Sequence, residues 1–442
     1  MAPPDSLTAR ARAELTARAS YGRLLAVLAA PTGDIPAAED ALADAFERAL
    51  TTWPRDGVPA NPEGWLLTVA RNRLKDLWKS AAVRLRAPLG DSAGDSAAES
   101  GRTDAAADDR APRDTRTVGL DALEALDADA IPDKRIELLC VCAHPAIDAG
   151  IRTPLMLQTV LGLSAAAIAA AYAVPEQVMA QRLVRAKRRI RTTRIPFVLP
   201  SLRDLPLRLP AVLEAVYGAY AIDWSTADPD ARHTPDSLAG EALYLAETLA
   251  SLLPDEPEVL GLAALLALSI ARLRARTTAD GELVALYDQD PALWDAALIG
   301  RGERYLRRAQ PLGRLGRFQL EAAIQSVHCD RARSGVTNWA ALKTLHTALV
   351  RYSPTVGARV ALAAVIGEVD GPGAGLGALD EVAREQPNAA GFQPFWATRA
   401  HLAAEAGRLT DARAAFARAV DLAGDERLRA ALRHRAESLP PG

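Results

Sequence analysis

The sequence predicts an all-α fold, and three observations carry that reading. Ala, Leu, Arg and Glu recur at spacings of three and four along most of the chain, the signature of amphipathic helices. Runs in which Val, Ile, Thr or Tyr alternate with polar residues are almost absent, so strands have no sequence support. Aromatic residues supply only 5% of a chain that is 49% hydrophobic, which leaves aliphatic and small side chains to build the core. The length of 442 residues gives room for roughly two to four domains. With 52 basic against 55 acidic residues the net charge is −3, so any basic surface has to arise by segregation along the chain. Three cysteines, Cys140, Cys142 and Cys329, cannot pair fully, which fits a reducing compartment. Met1 to Ser20 is polar and Arg-bearing, and the longest apolar stretch, Val259 to Ala271, is interrupted by Ser269 and too short to span a bilayer. The expectation is a soluble cytoplasmic protein that makes no membrane contact.

The first informative helix runs from Ala37 to Leu50. Leu42, Ala45, Phe46, Ala49 and Leu50 share one face, while Asp40, Asp44 and Glu47 share another. The acidic face reads either as a solvated surface or as a dock for a basic partner. Trp53 to Pro59 is rich in turn residues, Asn61 is a helix cap, and Pro62 suits the first helical position. The helix that follows, through Arg86, concentrates positive charge: Arg71, Arg73, Lys75, Lys79, Arg84 and Arg86 face only Glu63 and Asp76. Trp65 and Trp78 lie among these cations. Phosphate contact with base stacking is one reading, and a core tryptophan pair with snorkelling cations is the other.

Gly90 to Ala130 carries 11 acidic and 4 basic residues among Gly, Ser, Ala and Pro, and its few large apolar side chains predict a flexible acidic linker. A second helical unit starts near Ile131. Pro154 to Leu161 is helical, Gly162 ends that helix, Ser164 caps the next one through Tyr172, and Ala173 to Pro175 turn into a third. That third helix, Glu176 to Arg191, keeps Met179, Leu183, Ala186 and Ile190 on one stripe. Two helices joined by a short turn predict a helix-turn-helix. In that geometry Glu176, Gln177, Gln181 and Arg182 reach base edges, while Arg185, Lys187, Arg188, Arg189 and Arg191 hold phosphates. Seven basic residues lie between Arg182 and Arg194, and a solvated basic helix end is the alternative.

Prolines at 196, 200, 206 and 210 exclude a continuous helix and mark a second boundary before a long helical extension. Near its end Gly407, Ala412, Phe416 and Ala419 have tetratricopeptide spacing, and a weaker copy runs from Ala341 through Leu345 and Ala348 to Pro354. Between them Asp370, Gly371 and Pro372 open a turn-rich stretch through Gly375, read either as a connection or as a regulatory contact. Enzyme chemistry has little support. Cys140-x-Cys142-x-His144 lacks the spacing of a structural zinc site and reads better as a buried segment, so no metal is expected. His328 and Cys329 are adjacent on a helix and point in different directions, and no Gly-rich phosphate loop follows a strand. Neither a catalytic residue nor a cofactor is expected.

These segments carry a family resemblance. Asp40 to Ala49 resembles the region 2.2 helix of bacterial sigma factors, Asn61 to Asp76 resembles regions 2.3 and 2.4, and Val174 to Arg191 is similar to region 4.2. An acidic linker where regions 1 and 3 are missing points to the extracytoplasmic-function group. Arg208 to Val212, Leu252 to Gly261, Leu286 to Asp290, Tyr305, Leu320 to His328 and Val369 to Pro372 resemble the extension of sigma factors with a carboxy-terminal tetratricopeptide-like domain. Tyr217 to Trp224 departs from that pattern.

The resemblance implies four parts: region 2 over 1–89, the linker over 90–130, region 4 over 131–195 and the extension over 196–442. It implies a factor that brings core RNA polymerase to particular promoters, touching the polymerase at its clamp and flap. Asp40, Asp44, Phe46 and Glu47 would dock on the clamp. Trp65, Arg71, Asn72, Arg73, Lys75, Asp76 and Lys79 would hold the −10 element, and Glu176 to Arg191 would read the −35 element. The extension, with Asp370, Gly371 and Pro372 as a regulatory loop and a protein or peptide partner on its concave face, would regulate in cis. The alternative is a helix-turn-helix regulator on a tetratricopeptide scaffold that never binds core polymerase.

Overall fold

The computed structural model describes residues 4–86, 121–123, 125–128, 130–201, 203–225, 237–278 and 281–440. Most of the expected linker therefore lies outside the described residues. Among the described residues the fold is helical, with a single antiparallel bridge between Thr277 and Leu283. The chain divides into two compact units, Met1–Ala215 and Val216–Gly442.

The first unit begins with three mutually packed helices, α1 (Pro4–Ala29), α2 (Ile35–Asp56) and α3 (Pro62–Arg86). Leu24, Leu25 and Leu28 of α1 are buried, and α2 buries a stripe formed by Ile35, Ala38, Ala41, Leu42, Ala45, Ala49 and Trp53. That stripe corrects the expected face at its end: Phe46 is half-buried and Leu50 is exposed. Helix α2 also runs through Trp53 and Pro54 to Asp56, farther than its turn-rich sequence predicts, and stops at Gly57, whose φ of 86° suits glycine. The Asn61 side chain accepts from the Gly64 amide at 2.9 Å, which makes it the cap of α3.

Four helices follow: α4 (Arg135–Cys142), α5 (Ala149–Thr159), α6 (Ala165–Ala171) and α7 (Glu176–Thr193). Ser164 caps α6 by accepting from the Ala167 amide at 3.1 Å. Burial holds the Cys140 thiol up at about 11 and the Cys142 thiol up at about 12, so α4 is an inert core segment, and Cys142 faces the Thr159 hydroxyl at 3.4 Å. Two expected boundaries move. Leu123 is buried, Asn61 donates to the Ala128 carbonyl at 3.1 Å and Arg71 to the Leu126 carbonyl at 3.0 Å, so the last residues assigned to the linker are fixed on the first unit. The region after the prolines likewise stays with the first unit, because Arg208 is buried and donates to the Cys140 carbonyl at 3.1 Å. The division falls inside α8 (Leu209–Ser225).

The second unit is built on α10 (Pro257–Ile270), around which α9 (Leu238–Leu252), α11 (Ala296–Ala309) and α12 (Arg317–Cys329) pack. The long apolar stretch of the sequence is this central helix. Its side chains are buried on every face, as a core helix demands. Glu258 of α10 accepts from the Phe318 amide at 3.0 Å and the Gln319 amide at 3.3 Å, placing a carboxylate on the amino end of α12. After the single turn α13 (Arg331–Ser334), helices α14 (Trp339–Tyr352), α15 (Val356–Asp370), α16 (Pro372–Glu385), α17 (Gln393–Glu405), α18 (Leu409–Leu422) and α19 (Glu426–Glu437) each pack on the next. Ala412, Phe416 and Ala419 are buried in the α17–α18 hairpin. In the weaker copy the buried stripe of α14 is Leu342, His346 and Leu349, with Leu345 and Ala348 only partly covered. The expected turn from Asp370 to Gly375 narrows to Gly371, at φ 95°, because Pro372 already starts α16. Asp370 is held by Lys343 of α14.

Candidate nucleic-acid interface

Helix α7 separates its side chains cleanly. Met179, Leu183, Ala186 and Ile190 are buried against the unit, while Glu176, Gln177, Gln181, Arg182, Arg185, Arg188 and Arg189 are exposed. Exposed amides at its first turns and exposed guanidiniums farther along are what base contact followed by phosphate contact requires. The turn before α7 lacks glycine, yet Ala173 takes φ 51° and the left-handed region that glycine would enter without strain.

Lys187 behaves differently from its neighbours. Its ammonium meets both carboxylate oxygens of Glu39 on α2, at 2.6 and 2.7 Å, and the two side chains are only 9% and 19% exposed. The expectation that Lys187 offers a free charge to phosphate does not fit this arrangement. Arg191 reaches Asp34 at 3.4 Å, the same aspartate whose side chain caps α2 by accepting from the Ala37 amide. Close packing backs these pairs: Gly22 of α1 lies so near the Val160 carbonyl that a Cβ there would stand 1.8 Å from the oxygen. Burial raises the Glu39 carboxyl above its ordinary value more than Lys187 lowers it. Neither Glu39 nor Asp34 stood out in the sequence. Lys187 lies 148 positions away from Glu39, and no local spacing connects them.

On α2, Asp40 and Glu47 are exposed, as a docking surface needs. Asp44 is not free in the same way, since Arg73 of α3 donates to it at 2.5 Å, joining a residue expected at the polymerase to one expected at DNA. On α3, Asn72 and Asp76 are exposed, and Lys75 and Arg71 are partly covered. Trp65 packs edge-on against the buried Trp53, with ring centroids 5.6 Å apart, so its core contact is Trp53 and not Trp78. The Lys79 side chain lies outside the described residues.

Residues 17–84, most of the α1–α3 bundle, match the family model described as Sigma-70 region 2. The chain carries a sigma-70 region 2. This supports a sigma factor's role in transcription initiation, with core RNA polymerase as partner. Residues 208–310 match a model described as a family of unknown function, DUF6596. Over 386 residues the chain is 33% identical to the uncharacterized protein R00370 of Rhizobium meliloti (strain 1021), covering 87% of this chain and 86% of that one. The two proteins belong to one family. No solved structure matches the chain. Among the described residues no helix is long and apolar enough to cross a membrane.

Proposed function

We propose that the chain is a sigma factor of the extracytoplasmic-function group. Region 2 binds core polymerase and the −10 element, α6 and α7 form the region 4 helix-turn-helix that reads the −35 element, and the tetratricopeptide-like extension regulates initiation in cis. The observation that carries this reading is the fan of exposed amides and guanidiniums on α7, set in the same compact unit as a sigma-70 region 2. Asp40 and Glu47 are the clamp contacts with free side-chain surface, supported by Phe46 and by Asp44 through its pair with Arg73. Asn72, Arg73, Lys75 and Asp76 present the polar face of α3 to the −10 element, with Arg71 alongside and Trp65 setting the helix against Trp53. Glu176, Gln177, Gln181 and Arg182 read bases, while Arg185, Arg188 and Arg189 hold the backbone.

Lys187 has a second role in this proposal. The two promoter elements stand about 25 base pairs apart by their names, roughly 85 Å of B-form duplex. Helices α2 and α7 touch, so the arrangement with Lys187 on Glu39 is a closed resting form that opens when both elements are held. An ion pair in which burial of the carboxylate outweighs the attraction of its partner suits a contact that has to break.

Run-off transcription tests the reading, with purified core polymerase, the full chain and a library of upstream DNA. Asp40→Lys with Glu47→Lys is expected to abolish core binding and transcripts while leaving thermal unfolding unchanged. If the wild-type chain fails to bind core polymerase, or the reversed variant binds as well as wild type, the scaffolded DNA-binding regulator becomes the better account.

A further inference from the structure

A cavity of about 300 Å³ lies in the second unit, lined by Tyr217, Tyr220, Ser269, Arg272, Gln325 and His346, with Leu265, Ile324 and Leu349 among its apolar walls. Its volume is at the lower end of what small-molecule sites use. Arg272 is the unusual member. It is 5% exposed, and among the described residues no carboxylate pairs with it. One of its terminal nitrogens donates to the Gln325 carbonyl oxygen, and its Nε has no hydrogen-bond partner among the described residues. The Cys329 thiol, hydrogen-bonded to the guanidinium, is pushed up to about 11 by burial and stays neutral, so it gives Arg272 no counter-charge. The remaining carboxylate of the lining, Glu321, is engaged by Arg317 at 2.7 Å. Of the neighbouring cations, Arg331 is spent on the backbone carbonyls of Leu286, Tyr287 and Gln289, and Arg276, which faces Tyr220, also faces the carboxylates of Asp223 and Asp425.

An arginine keeps its proton in proteins, so burial leaves Arg272 with a full charge and an unmet donor. In the same lining the Nδ1 of His346 also lacks a partner among the described residues, and burial holds that imidazole neutral, down to about 4. One permanent cation, one neutral imidazole and the Ser269 hydroxyl line a cavity whose other walls are largely aliphatic and aromatic. A single charge with a planar donor fork matches a carboxylate, whereas a phosphate dianion would call for a second cation.

We propose that this cavity is a binding site for a small amphipathic carboxylic acid, its carboxylate on Arg272 and its apolar body against Tyr217, Leu265, Ile324 and Leu349. The site gives the extension an input of its own. Binding to it does not depend on the sigma factor reading, whose failure would show in the run-off assay and leave this site untouched.

The test is calorimetric titration of the full chain with benzoate and 4-methylpentanoate, an aromatic and a branched aliphatic probe, beside benzamide and inorganic phosphate. Saturable one-site binding of at least one carboxylate is expected, weakened at least about tenfold by Arg272→Met, the loss that goes with one charged hydrogen-bond donor. Arg272→Met is expected to unfold at the same or a higher temperature than wild type without ligand, because it removes a buried uncompensated charge. Ala221→Phe, which fills the cavity and leaves the arginine in place, is expected to lose binding as well. Absence of binding by both carboxylates at millimolar concentration overturns the proposal. So does binding that survives Arg272→Met, equal binding of benzamide, or phosphate binding in their place.

Discussion

Replacing Glu39 by Gln removes one charge from the contact between α2 and α7 and keeps the side-chain shape. The Lys187 ammonium then remains at 9% exposure beside a neutral amide. Breaking a fully buried pair from one side costs about 3–5 kcal/mol. Here Glu39 keeps 19% exposure, water can reach the site, and burial already raises the carboxyl above its ordinary value, so part of the gain from pairing is absent at the start. A loss of about 2 kcal/mol is the reasonable figure, which multiplies the ratio of open to closed molecules by about 30. The assay is a distance distribution between labels on Ala43→Cys and Val184→Cys, two exposed positions on α2 and α7. The native thiols have pKa values raised by burial to about 11 for Cys140, 12 for Cys142 and 11 for Cys329, so the introduced ones take the label. Glu39→Gln should enlarge the long-distance population, and the exchanged pair Glu39→Lys with Lys187→Glu should return it toward wild type. An unchanged distribution in Glu39→Gln would refute the reasoning, as would an exchanged pair that behaves like the single variant.

Three other outcomes are expected. Ala173→Gly should stabilise the chain by about 0.5–1 kcal/mol in chemical denaturation, since it relieves a left-handed alanine at φ 51° and loses less than that to the freer unfolded chain; destabilisation would count against strain there. Burial lowers His346 from 6.5 to about 4, so below pH 6.5 the unfolded chain takes up a proton that the folded one refuses. Its contribution is whole above pH 6.5 and is lost as the pH falls toward 4, at up to about 1.4 kcal/mol per unit, which thermal melts of wild type and His346→Gln across that window would measure. Gln181→Ala and Arg182→Ala should change base preference in binding selections, whereas Arg188→Ala should weaken all duplexes alike and reduce the salt slope by about one; identical profiles for the three would remove the assignment of base readers.

Local chemistry made much of this molecule legible. The Asn61 cap, the Ser164 cap and the stripe of Met179, Leu183, Ala186 and Ile190 follow from periodicity and capping, which act within a few residues. The same periodicity separates the exposed Gln181 and Arg182 from the buried side of α7. What sequence alone could not reveal is which charges are spent inside the protein. Lys187 and Arg188 are neighbouring cations on one helix, yet the first is buried on Glu39 and the second is exposed. Asp44 and Asp40 lie one turn apart, yet Arg73 holds the first and leaves the second open. The cavity around Arg272 gathers α8, α10, α12 and α14, with Arg272 itself following α10, and no spacing along the chain announces it. The sequence by itself determined the helical class, the Asn61 and Ser164 caps and the buried stripe of α7, because those depend on neighbours three and four positions away. Only tertiary packing decided which ionic groups meet, because Coulomb attraction and desolvation depend on distance and burial in space, and the partners stand up to 157 residues apart in the chain.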